Sequence, residues 1–513
     1  MNIDIGGRII VMTINNKGSI KKITLLLSLL FAVQALLFPS CTAATAPLPS
    51  VVQQELAPGV TYTILHNRQN LAGEALSVYV LEVDINKQDL EILPVTGGSR
   101  FGDTETVQSL AKRHNAVAAV NGGFFYQSAD RRLPLGNLII EGKPLSISDY
   151  WRSSFAISHP AEESSPLQLI FGHFQPRAEL IFPGSSVTAT SINSRSSQPG
   201  VHLHTPEWAE EKVGMTGSLN ATFVWAGLNS YRLSGISNEP QAIPPAGLVL
   251  RFHGDTARAV ADNLAAGSIL TMEHHYDKTH WGHIQHLMTA GPMLVVDGKP
   301  VFAAIQEGFT GTALQPNSRT ALGVNSAGRV MLVVAERTAR GSRVGLTLEE
   351  TALLMAELGA VNAIGLDGGG SSTLYASGKV SGHAALSPRP VANALLVLQG
   401  PRLYLNNSRV YPDVPPVIDT GRTLVPVRVI MEEMQARVEW DGESRTVTIK
   451  GQENDITLVI DSPEAIVDGT PFLLDVPPQV INGRTMIPVR FVTEALKGTV
   501  HWDAVQRAIY LTV

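Results

Sequence analysis

The feature of this chain that most restricts its fold is a segment that occurs twice. Residues 421–428 read Gly-Arg-Thr-Leu-Val-Pro-Val-Arg, and residues 483–490 read Gly-Arg-Thr-Met-Ile-Pro-Val-Arg, an offset of 62. The Trp-Asp pair at 440–441 returns at the same offset, at 502–503. Self-similarity at a fixed spacing predicts one supersecondary unit that is used twice.

Each copy predicts an extended segment, a short helix (428–435 and 490–496) and strands around the Trp-Asp turn. Residues 401–513 resemble the copper amine oxidase N-terminal domain, which implies a small, duplicated α+β stalk-like domain for spacing or for attachment to the cell wall. The two copies contain one histidine, His501, and no cysteine. A copper site needs several imidazole or thiolate ligands, so no copper is expected here.

The first 46 residues predict a secretory signal peptide. Lysines precede an apolar stretch at residues 23–38, and small residues follow it. Cys41, the only cysteine, is a candidate for a lipid anchor, but the Phe-Pro-Ser at 38–40 fits such a site poorly. Cleavage by an ordinary signal peptidase is the preferred expectation. The protein is then secreted or held at the cell surface, with no transmembrane span after cleavage.

The composition is that of a globular protein with more than one domain. The chain has 513 residues, of which 44% are hydrophobic and 16% charged. The formal net charge is -6, and no basic stretch follows the leader, which argues against a nucleic-acid partner. The expected division is a signal peptide at 1–46, a main domain at 47–400 and the duplicated domain at 401–513. The start is either Met1 or Met12.

The main domain mixes strand and helix patterns. Residues 78–84 alternate between apolar and polar positions like a strand. The clearest helix spans 348–358, where Thr347 and Glu350 form a capping box before an apolar stripe. These patterns predict an α+β fold: a mixed β-sheet domain with packed helices, followed by the small α+β repeat domain.

One carboxylate stands at the end of a predicted strand. Residues 367–373 read Asp-Gly-Gly-Gly-Ser-Ser-Thr and follow the apolar run 360–366. Consecutive glycines allow a ligand to approach backbone N–H groups, and the hydroxyls suit sugar or phosphate oxygens. An Asp-Gly hairpin turn is the alternative, but three glycines exceed what a two-residue turn needs. Asp367 is therefore the first candidate for a catalytic residue.

Two further stretches place polar groups beside strands. Asn121 ends the apolar run 116–120 and precedes two glycines and two phenylalanines. Its strand and the one before Asp367 are expected to end at one rim of a sheet, where open sheets often bind ligands. An ordinary Asn-Gly turn is the alternative, and the phenylalanines are expected in the core. Arg319 begins a predicted strand and suits a phosphate clamp or a surface salt bridge.

Six such stretches occur in an order that resembles the phosphodiester glycosidase family over about residues 75–398. They are 121–125, 136–137, 291–292, 319–323, 367–373 and 388–393. The resemblance implies hydrolysis of a sugar from a sugar-1-phosphate diester, without a cofactor or a metal ion. The mature chain has at most one cysteine, so it has no intrachain disulfide.

The resemblance also implies roles for individual residues. Asp367 is the expected base, nucleophile or electrostatic stabiliser, Arg319 the phosphate ligand and Asn121 the third catalytic residue. The expected substrate-binding residues are Gly122, Asn137, Gly368, Gly369, Gly370, Ser371, Thr373 and Arg389. Glu307 is a candidate second carboxylate.

Other functions stay open at the level of sequence. The leading hypothesis is an exported hydrolase that acts on an envelope or extracellular glycan and binds a carbohydrate or sugar phosphate. The alternative is a non-catalytic glycan-binding protein in exopolysaccharide or cell-wall assembly. A third hypothesis is a metal-dependent hydrolase, in which two residues of a histidine cluster, His283 and His286, share a helix face and bind zinc. A solvated histidine-rich strand or loop is the preferred interpretation of that cluster, which consists of His274, His275, His280, His283 and His286.

Overall fold

The computed structural model describes most of the chain from Ser50 onward. The described residues are 4–5, 8–9, 50–87, 90–98, 101–128, 131–159, 167–208, 210–227, 229–275, 283–337, 345–381, 387–419, 421–451, 454–495, 498–503 and 507–512. The apolar part of the predicted signal peptide and Cys41 lie outside them. Residues Met1–Leu48 and Pro49–Val513 form two separate compact units. In the first unit, the described strands β1 (Asp4–Ile5) and β2 (Arg8–Ile9) pair antiparallel.

The second unit is built mainly from strands. In chain order they are β3 (Ser50–Ala57), β4 (Val60–Gln69), β5 (Ala75–Val83), β6 (Leu90–Thr96), β7 (Ala118–Asn121), β8 (Phe125–Ser128), β9 (Arg131–Pro134), β10 (Leu138–Ile140), β11 (Lys143–Ser146), β12 (Ser154–His159), β13 (Gln168–Gly172), β14 (Arg177–Phe182), β15 (Ser185–Thr188), β16 (Ser191–Ile192), β17 (Gly200–His204), β18 (Lys212–Val213), β19 (Leu219–Gly227), β20 (Ser230–Ser237), β21 (Gln241–Ala242), β22 (Gly247–His253), β23 (Ile269–His275), β24 (His283–Thr289), β25 (Met293–Val296), β26 (Lys299–Pro300), β27 (Arg319–Asn325), β28 (Val330–Arg337), β29 (Ala360–Gly365), β30 (Leu374–Ala376), β31 (Lys379–Val380) and β32 (Asn393–Gln399). The C-terminal region adds β33 (Arg402–Leu405), β34 (Ser408–Val410), β35 (Val417–Asp419), β36 (Arg422–Pro426), β37 (Arg437–Asp441), β38 (Thr446–Lys450), β39 (Asp455–Val459), β40 (Glu464–Val467), β41 (Thr470–Leu473), β42 (Gln479–Ile481), β43 (Arg484–Pro488), β44 (Thr499–Asp503) and β45 (Ala508–Thr512).

The helices are short, so the predicted α+β class is wrong and the fold is mainly β. The α-helices of the described residues are α1 (Val107–Arg113), α2 (Asp255–Asp262), α3 (Leu348–Glu357), α4 (Val427–Glu433) and α5 (Val489–Ala495). The helical signals in the sequence are real but span only seven to ten residues each, whereas the segments between them fold as strands. None of the described helices has the length and apolar character needed to cross a membrane.

Two sheets face each other in the main region. The larger has eight strands in the order β26-β25-β29-β27-β28-β5-β4-β3, and the smaller has five in the order β31-β30-β7-β32-β6. The apolar core between them contains Leu81, Leu332 and Ile364 from the larger sheet and Val120 and Leu395 from the smaller one. Each such side chain stabilises the fold by about 1.5–3 kcal/mol relative to an exposed one.

The outer face of each sheet carries a short helix. Met355 of α3 packs with Val333 against the larger sheet, and Leu110 of α1 packs with Leu396 against the smaller one. Strands that are covered on both faces lose the alternation of a half-exposed strand. This burial explains why β32, Asn393–Gln399, is an almost unbroken apolar run.

The main region contains two further large sheets besides the two that face each other. One has five strands in the order β11-β10-β24-β12-β13, and another has eight in the order β15-β14-β23-β20-β19-β22-β17-β16. The second eight-stranded sheet has its own core around Phe223 and Phe252. Among the described strand pairs, only β16 with β17 and β33 with β45 run parallel. The ladders are therefore mainly antiparallel.

The two repeat copies are related by a local two-fold axis. Strand β36 of the first copy pairs antiparallel with β43 of the second, with Val425 opposite Ile487. These two positions are equivalent in the repeat. The same symmetry appears in two ion pairs between the copies, Arg422 with Asp475 and Arg484 with Asp413.

A buried ion cluster joins the C-terminal region to the main region. Glu91 on β6 accepts from Arg409 on β34, with a shortest distance of 2.6 Å, and lies 3.3 Å from Arg402 on β33. Arg409 also contacts Glu141 at 2.7 Å, and Tyr404 donates to the same carboxylate over 3.0 Å. The side chains of Glu91, Arg402 and Arg409 are all largely buried.

Candidate functional site

Asp367 lies where the two main sheets meet. It follows β29 of the larger sheet, and its backbone N–H donates to the Gly122 carbonyl over 3.0 Å. Asn121, which ends β7 of the smaller sheet, donates from Nδ2 to the Asp367 carbonyl over 2.7 Å. The structure therefore brings the two predicted strand ends together. They belong to the rims of two packed sheets, and not to one rim as predicted.

Asn121 acts as a connector between three segments. Besides its bond to Asp367, its Oδ1 accepts from the Thr320 hydroxyl at 2.8 Å and from the Thr373 N–H at 3.1 Å. The residue is fully buried. Its side-chain amide is thus occupied by protein groups, which suits a positioning residue better than a direct sugar ligand; the predicted catalytic role stays a prediction.

The environment of Asp367 changes its acidity. Burial raises the pKa of this carboxyl from 3.8 to about 6, while the Ser371 hydroxyl, the Arg389 cation and the Gly368 N–H act in the opposite direction. The Gly368 N–H donates to Asp367 Oδ1 over 3.0 Å. A carboxyl with a pKa near neutrality suits proton transfer and charge stabilisation at physiological pH.

The backbone of the glycine loop after Asp367 is fixed by hydrogen bonds within the protein. Gly369 has a φ of +62°, a conformation that glycine adopts without strain, and its N–H donates to the Ser318 carbonyl over 2.8 Å. With the Gly368 N–H on Asp367, two of the three predicted anion donors already bond within the protein. Ser371 and Thr373 are buried beneath the loop, while Gly370 is exposed at its outer edge.

Arg319 lies at one side of this loop. Its Nε donates to the Leu346 carbonyl over 2.8 Å, and its Nη2 donates to the carbonyls of Ala313 and Gln315 over 2.9 and 2.6 Å. Its Nη1 stands 3.6 Å from the point where a Cβ on Gly368 would be. Burial lowers the pKa of Arg319 to about 10, and the group stays charged at neutral pH. Among the described residues no carboxylate forms a salt bridge with it, so the alternative interpretation of Arg319, a surface salt bridge, is not seen.

Arg389 lies at the other side of the loop. Its Nη1 is 3.6 Å from the point where a Cβ on Gly370 would be. Its guanidinium lies over the ring of Phe125, 5.3 Å from the ring centroid. The two guanidinium groups therefore border the glycine loop at Gly368 and at Gly370, an arrangement that suits a bound phosphate.

An aromatic cluster beside the loop was missed by sequence reasoning. The Arg152 guanidinium lies 3.9 Å from the ring centroid of Phe309 and 5.3 Å from that of Phe124. Trp151, the neighbour of Arg152, is exposed and stacks on His173 at 4.5 Å. Phe124 is half-buried, so it is neither a full core residue nor an open sugar platform. Local sequence contained no sign of this cluster, since its members come from distant segments.

Two other predicted residues are engaged in structural contacts. Glu307 accepts three hydrogen bonds, from the N–H and hydroxyl of Ser153 and from the Met293 N–H, at 2.8 to 2.9 Å. Asn137 donates to the Phe174 carbonyl over 3.2 Å and accepts from the Ser148 N–H over 3.0 Å. Both are buried. Their predicted parts in catalysis and sugar binding stay predictions.

Gly122 is needed for close packing at the junction of the sheets. A Cβ at this position would lie 2.1 Å from Asn393 Oδ1. A side chain at this position would have to displace the Asn393 side chain, and the Asn393 carbonyl carbon also lies only 3.2 Å from the same point. The predicted contact between Gly122 and substrate stays a prediction.

The histidine cluster divides between separate sheets. His274 and His275 end β23, whereas His283 and His286 lie on β24 of another sheet. The helix face of the metal hypothesis is not formed, because both residues lie on a strand, as the preferred interpretation has it. His286 is buried, however, and not solvated. His280 lies outside the described residues. Among the residues that the structure describes, no group of three or more His, Cys, Asp or Glu side chains is placed to hold a metal ion.

Two family models match separate segments of the chain. Residues 223–398 match the family model described as phosphodiester glycosidase, and residues 404–511 match the copper amine oxidase N-terminal domain. Both family resemblances are confirmed, the first of them for residues 223–398 of the expected 75–398. The first match includes Arg319, Asp367 and Arg389 but not Asn121. The glycosidase-like domain is thus related to a hydrolase family in the segment that carries the loop and both arginines.

Solved structures share the fold of this domain. A hypothetical protein from Synechocystis has 25% identity and a TM-score of 0.59, over 69% of this chain and 64% of its own length. The chain thus spans less than two thirds of that relative. A Burkholderia pseudomallei K96243 protein has 20% identity and a TM-score of 0.55, over 70% of this chain and 99% of its own length.

A third structure is the catalytic domain of zebrafish N-acetylglucosamine-1-phosphodiester alpha-N-acetylglucosaminidase, auto-inhibited by its pro-peptide. It has 14% identity and a TM-score of 0.36, over 69% of this chain and 85% of its own length. This likeness is too weak to carry an argument. A search of curated proteins gives no match.

Proposed function

We propose that the protein is an exported hydrolase that cleaves a sugar from a sugar-1-phosphodiester. The observation that carries this proposal is a carboxyl group, Asp367, whose pKa burial raises to about 6, in a loop bordered by two guanidinium groups. A sugar-1-phosphodiester presents the matching pair of features, an anomeric carbon beside an anionic phosphate. The phosphodiester glycosidase match supports the same class of reaction.

The phosphate would lie across the glycine loop, between Arg319 and Arg389. Three backbone carbonyls fix the Arg319 guanidinium, so little side-chain entropy is lost when its Nη1 edge binds an anion. Arg389 is exposed and rests on Phe125. We infer that Arg319 supplies the preformed part of the anion site and Arg389 the adaptable part.

The chemistry at the anomeric carbon then needs one carboxylate. The bond between C1 and the phosphate oxygen breaks, and the phosphate monoester leaves with the electron pair. Because this leaving group is a stable anion, it needs little protonation. Asp367 either takes a proton from the water that attacks C1, or attacks C1 itself and forms a glycosyl ester. In the second case, water then hydrolyses the ester, which releases the sugar and regenerates the carboxylate. If the sugar is released with inverted configuration at C1, Asp367 acts as the base; if the configuration is retained, Asp367 acts as the nucleophile. NMR of the freshly released sugar distinguishes the two configurations.

The substrate would belong to an envelope or extracellular glycan. This part of the proposal is supported by the sequence pattern of a secretory signal at residues 1–46. The C-terminal region also supports it, because its resemblance to the copper amine oxidase N-terminal domain implies a role in spacing or in attachment to the cell wall. The protein would then be secreted or held at the cell surface.

The test is turnover of a panel of hexose-1-phosphodiesters, with and without a 2-acetamido group. The variant Asp367→Asn is expected to lose at least about a hundredfold in kcat/KM. Asp297→Asn is the matched control, because Asp297 also precedes a glycine but lies in the exposed turn between β25 and β26. Equal turnover in Asp367→Asn would remove the catalytic assignment. Tight binding without turnover of any substrate would favour the non-catalytic glycan-binding function.

A further inference from the structure

The C-terminal region contains a cavity of about 550 Å³ between the two repeat copies. Helix α4 and strand β37 of the first copy form one side, and the start of β43 in the second copy forms the other. A volume of this size is typical of sites for small molecules. The cavity lies outside the Asp367 site, and nothing in the proposed reaction uses it.

One wall of the cavity contains an exposed tryptophan. Trp440 on β37 lines it and is 45% exposed. Tyr411 also lines the cavity. A large indole at the surface costs free energy in water unless a ligand covers it. The flat C–H face of a sugar ring is a natural partner for such a ring, because its hydroxyls stay free at the edge.

The polar lining is balanced in charge. Arg484 of the second copy pairs with Asp413, and Arg428 lies 3.9 Å from Glu432 on α4. All four residues line the cavity. Two positive and two negative groups favour neither a polyanion nor a polycation. Paired side chains still present donors and acceptors in fixed directions, which suit the hydroxyls of a neutral saccharide.

We propose that this cavity binds a neutral saccharide chain. The inference rests on the proposed function in one respect, namely that the neighbouring domain acts on a carbohydrate. A second site on the same chain raises the effective concentration of a polymeric substrate at the first. The C-terminal region then acts as a binding module for the polymer and not only as a spacer.

The repeat supplies a matched control for the test. Trp502 is the equivalent of Trp440 in the second copy and is 36% exposed, with the Arg507 guanidinium 5.9 Å from its ring centroid. Binding of chito- and cello-oligosaccharides is measured by calorimetry on the full chain that carries Asp367→Asn, so that turnover does not interfere. Trp440→Ala is expected to weaken binding by about tenfold, and Trp502→Ala by less than about twofold.

Each outcome decides the inference. No binding of either oligosaccharide series, or an equal loss in both tryptophan variants, would overturn it. Hydrolysis of a small sugar-1-phosphodiester by Trp440→Ala in the otherwise unchanged chain is expected to match the parent. If hydrolysis is absent in the parent while Trp440-dependent binding persists, the proposed function fails and the saccharide site stands.

Discussion

Asp367 is partly ionised near pH 6, because burial raises its pKa to about 6 and Arg389 opposes this rise only in part. If its carboxylate performs the reaction, kcat/KM is expected to fall about tenfold for each pH unit below about 6 and to be level above about pH 7. A sugar-1-phosphodiester is a suitable substrate for this measurement, since its phosphate stays ionised throughout. A flat profile across the same range would contradict the assignment.

The same carboxyl group makes the fold less stable at neutral pH. Its pKa is raised in the folded state, so the folded protein binds more protons than the unfolded chain between pH 3.8 and about 6. Stability therefore falls as pH rises through this window, and the loss persists above it. Relative to its effect below about pH 4, Asp367→Asn is expected to stabilise the protein by up to about 3 kcal/mol at pH 7.5, because the pKa shift is about two units.

Denaturant unfolding at the two pH values measures that difference. Asp297→Asn, in its exposed turn, is expected to change the free energy of unfolding by less than about 0.5 kcal/mol at either pH. If Asp367→Asn destabilises the protein equally at both pH values, the lost hydrogen bonds, and not the removed charge, determine its effect on the free energy of unfolding.

The side chain of Asn121, at the end of β7, hydrogen-bonds both to β27 and to the segment after β29. Asn121→Ala would leave the Asp367 carbonyl, the Thr320 hydroxyl and the Thr373 N–H without their partner. The expected cost is about 3 kcal/mol in the free energy of unfolding. Because Asp367 would also lose its position, we expect kcat to fall and the apparent pKa of the pH profile to shift.

Asn137→Ala is the control for Asn121→Ala. It is equally buried and also hydrogen-bonded to the backbone, but those bonds do not involve Asp367. Asn137→Ala is expected to destabilise the protein by a similar amount and to leave the apparent pKa of the pH profile unchanged. An identical pH profile for parent and Asn121→Ala would reduce Asn121 to a purely structural residue.

Local elements were predictable from sequence, and their pairing was not. The capping box of Thr347 and Glu350 forms as predicted, because such caps depend on four consecutive residues. The strand before Asp367 was also recognised. Its meeting with Asn121 across two sheets, and the strand geometry of His286, depend on long-range pairing that no local pattern encodes.

The same reason explains why the sequence could not show the contacts of the candidate site residues. Asn121, Asn137 and Glu307 appeared to be available for a ligand, since a sequence does not show which buried groups they contact. Arg152 lies beside Phe124 and Phe309 because the fold brings together segments that are distant in the sequence. Short motifs placed Asp367, Arg319 and Arg389 among the candidates, and the structure brings the two arginines beside the glycine loop. Their roles stay predictions.

At the scale of the whole molecule, the C-terminal region is fastened to the main region by buried charges. Burial alone would raise the pKa of Glu91, but Arg409 and Arg402 outweigh it and lower this pKa to about 2. The predicted stalk-like role stays a prediction. The cluster nevertheless argues that the two regions unfold together, because a buried carboxylate between two arginines is costly to separate.

Removal of Glu91 tests this coupling. Glu91→Ala would leave Arg402 and Arg409 buried without their shared carboxylate, at an expected cost of about 3–5 kcal/mol. Calorimetry of the parent is expected to show one unfolding transition from pH 5 to 8, and the variant a separate, earlier transition of the C-terminal region. Asp461→Ala is the control, because its pair with Arg445 is exposed and exposed pairs contribute less than about 1 kcal/mol.

The contribution of Glu91 to the stability of the fold depends on pH in a definite direction. Since the folded pKa of Glu91 is depressed from 4.5 to about 2, its stabilisation is full above pH 4.5 and disappears as the pH falls towards 2. The difference between parent and a Glu91→Gln variant should therefore shrink on acidification. One transition with an unchanged midpoint in Glu91→Ala would mean that apolar contacts alone hold the two regions together.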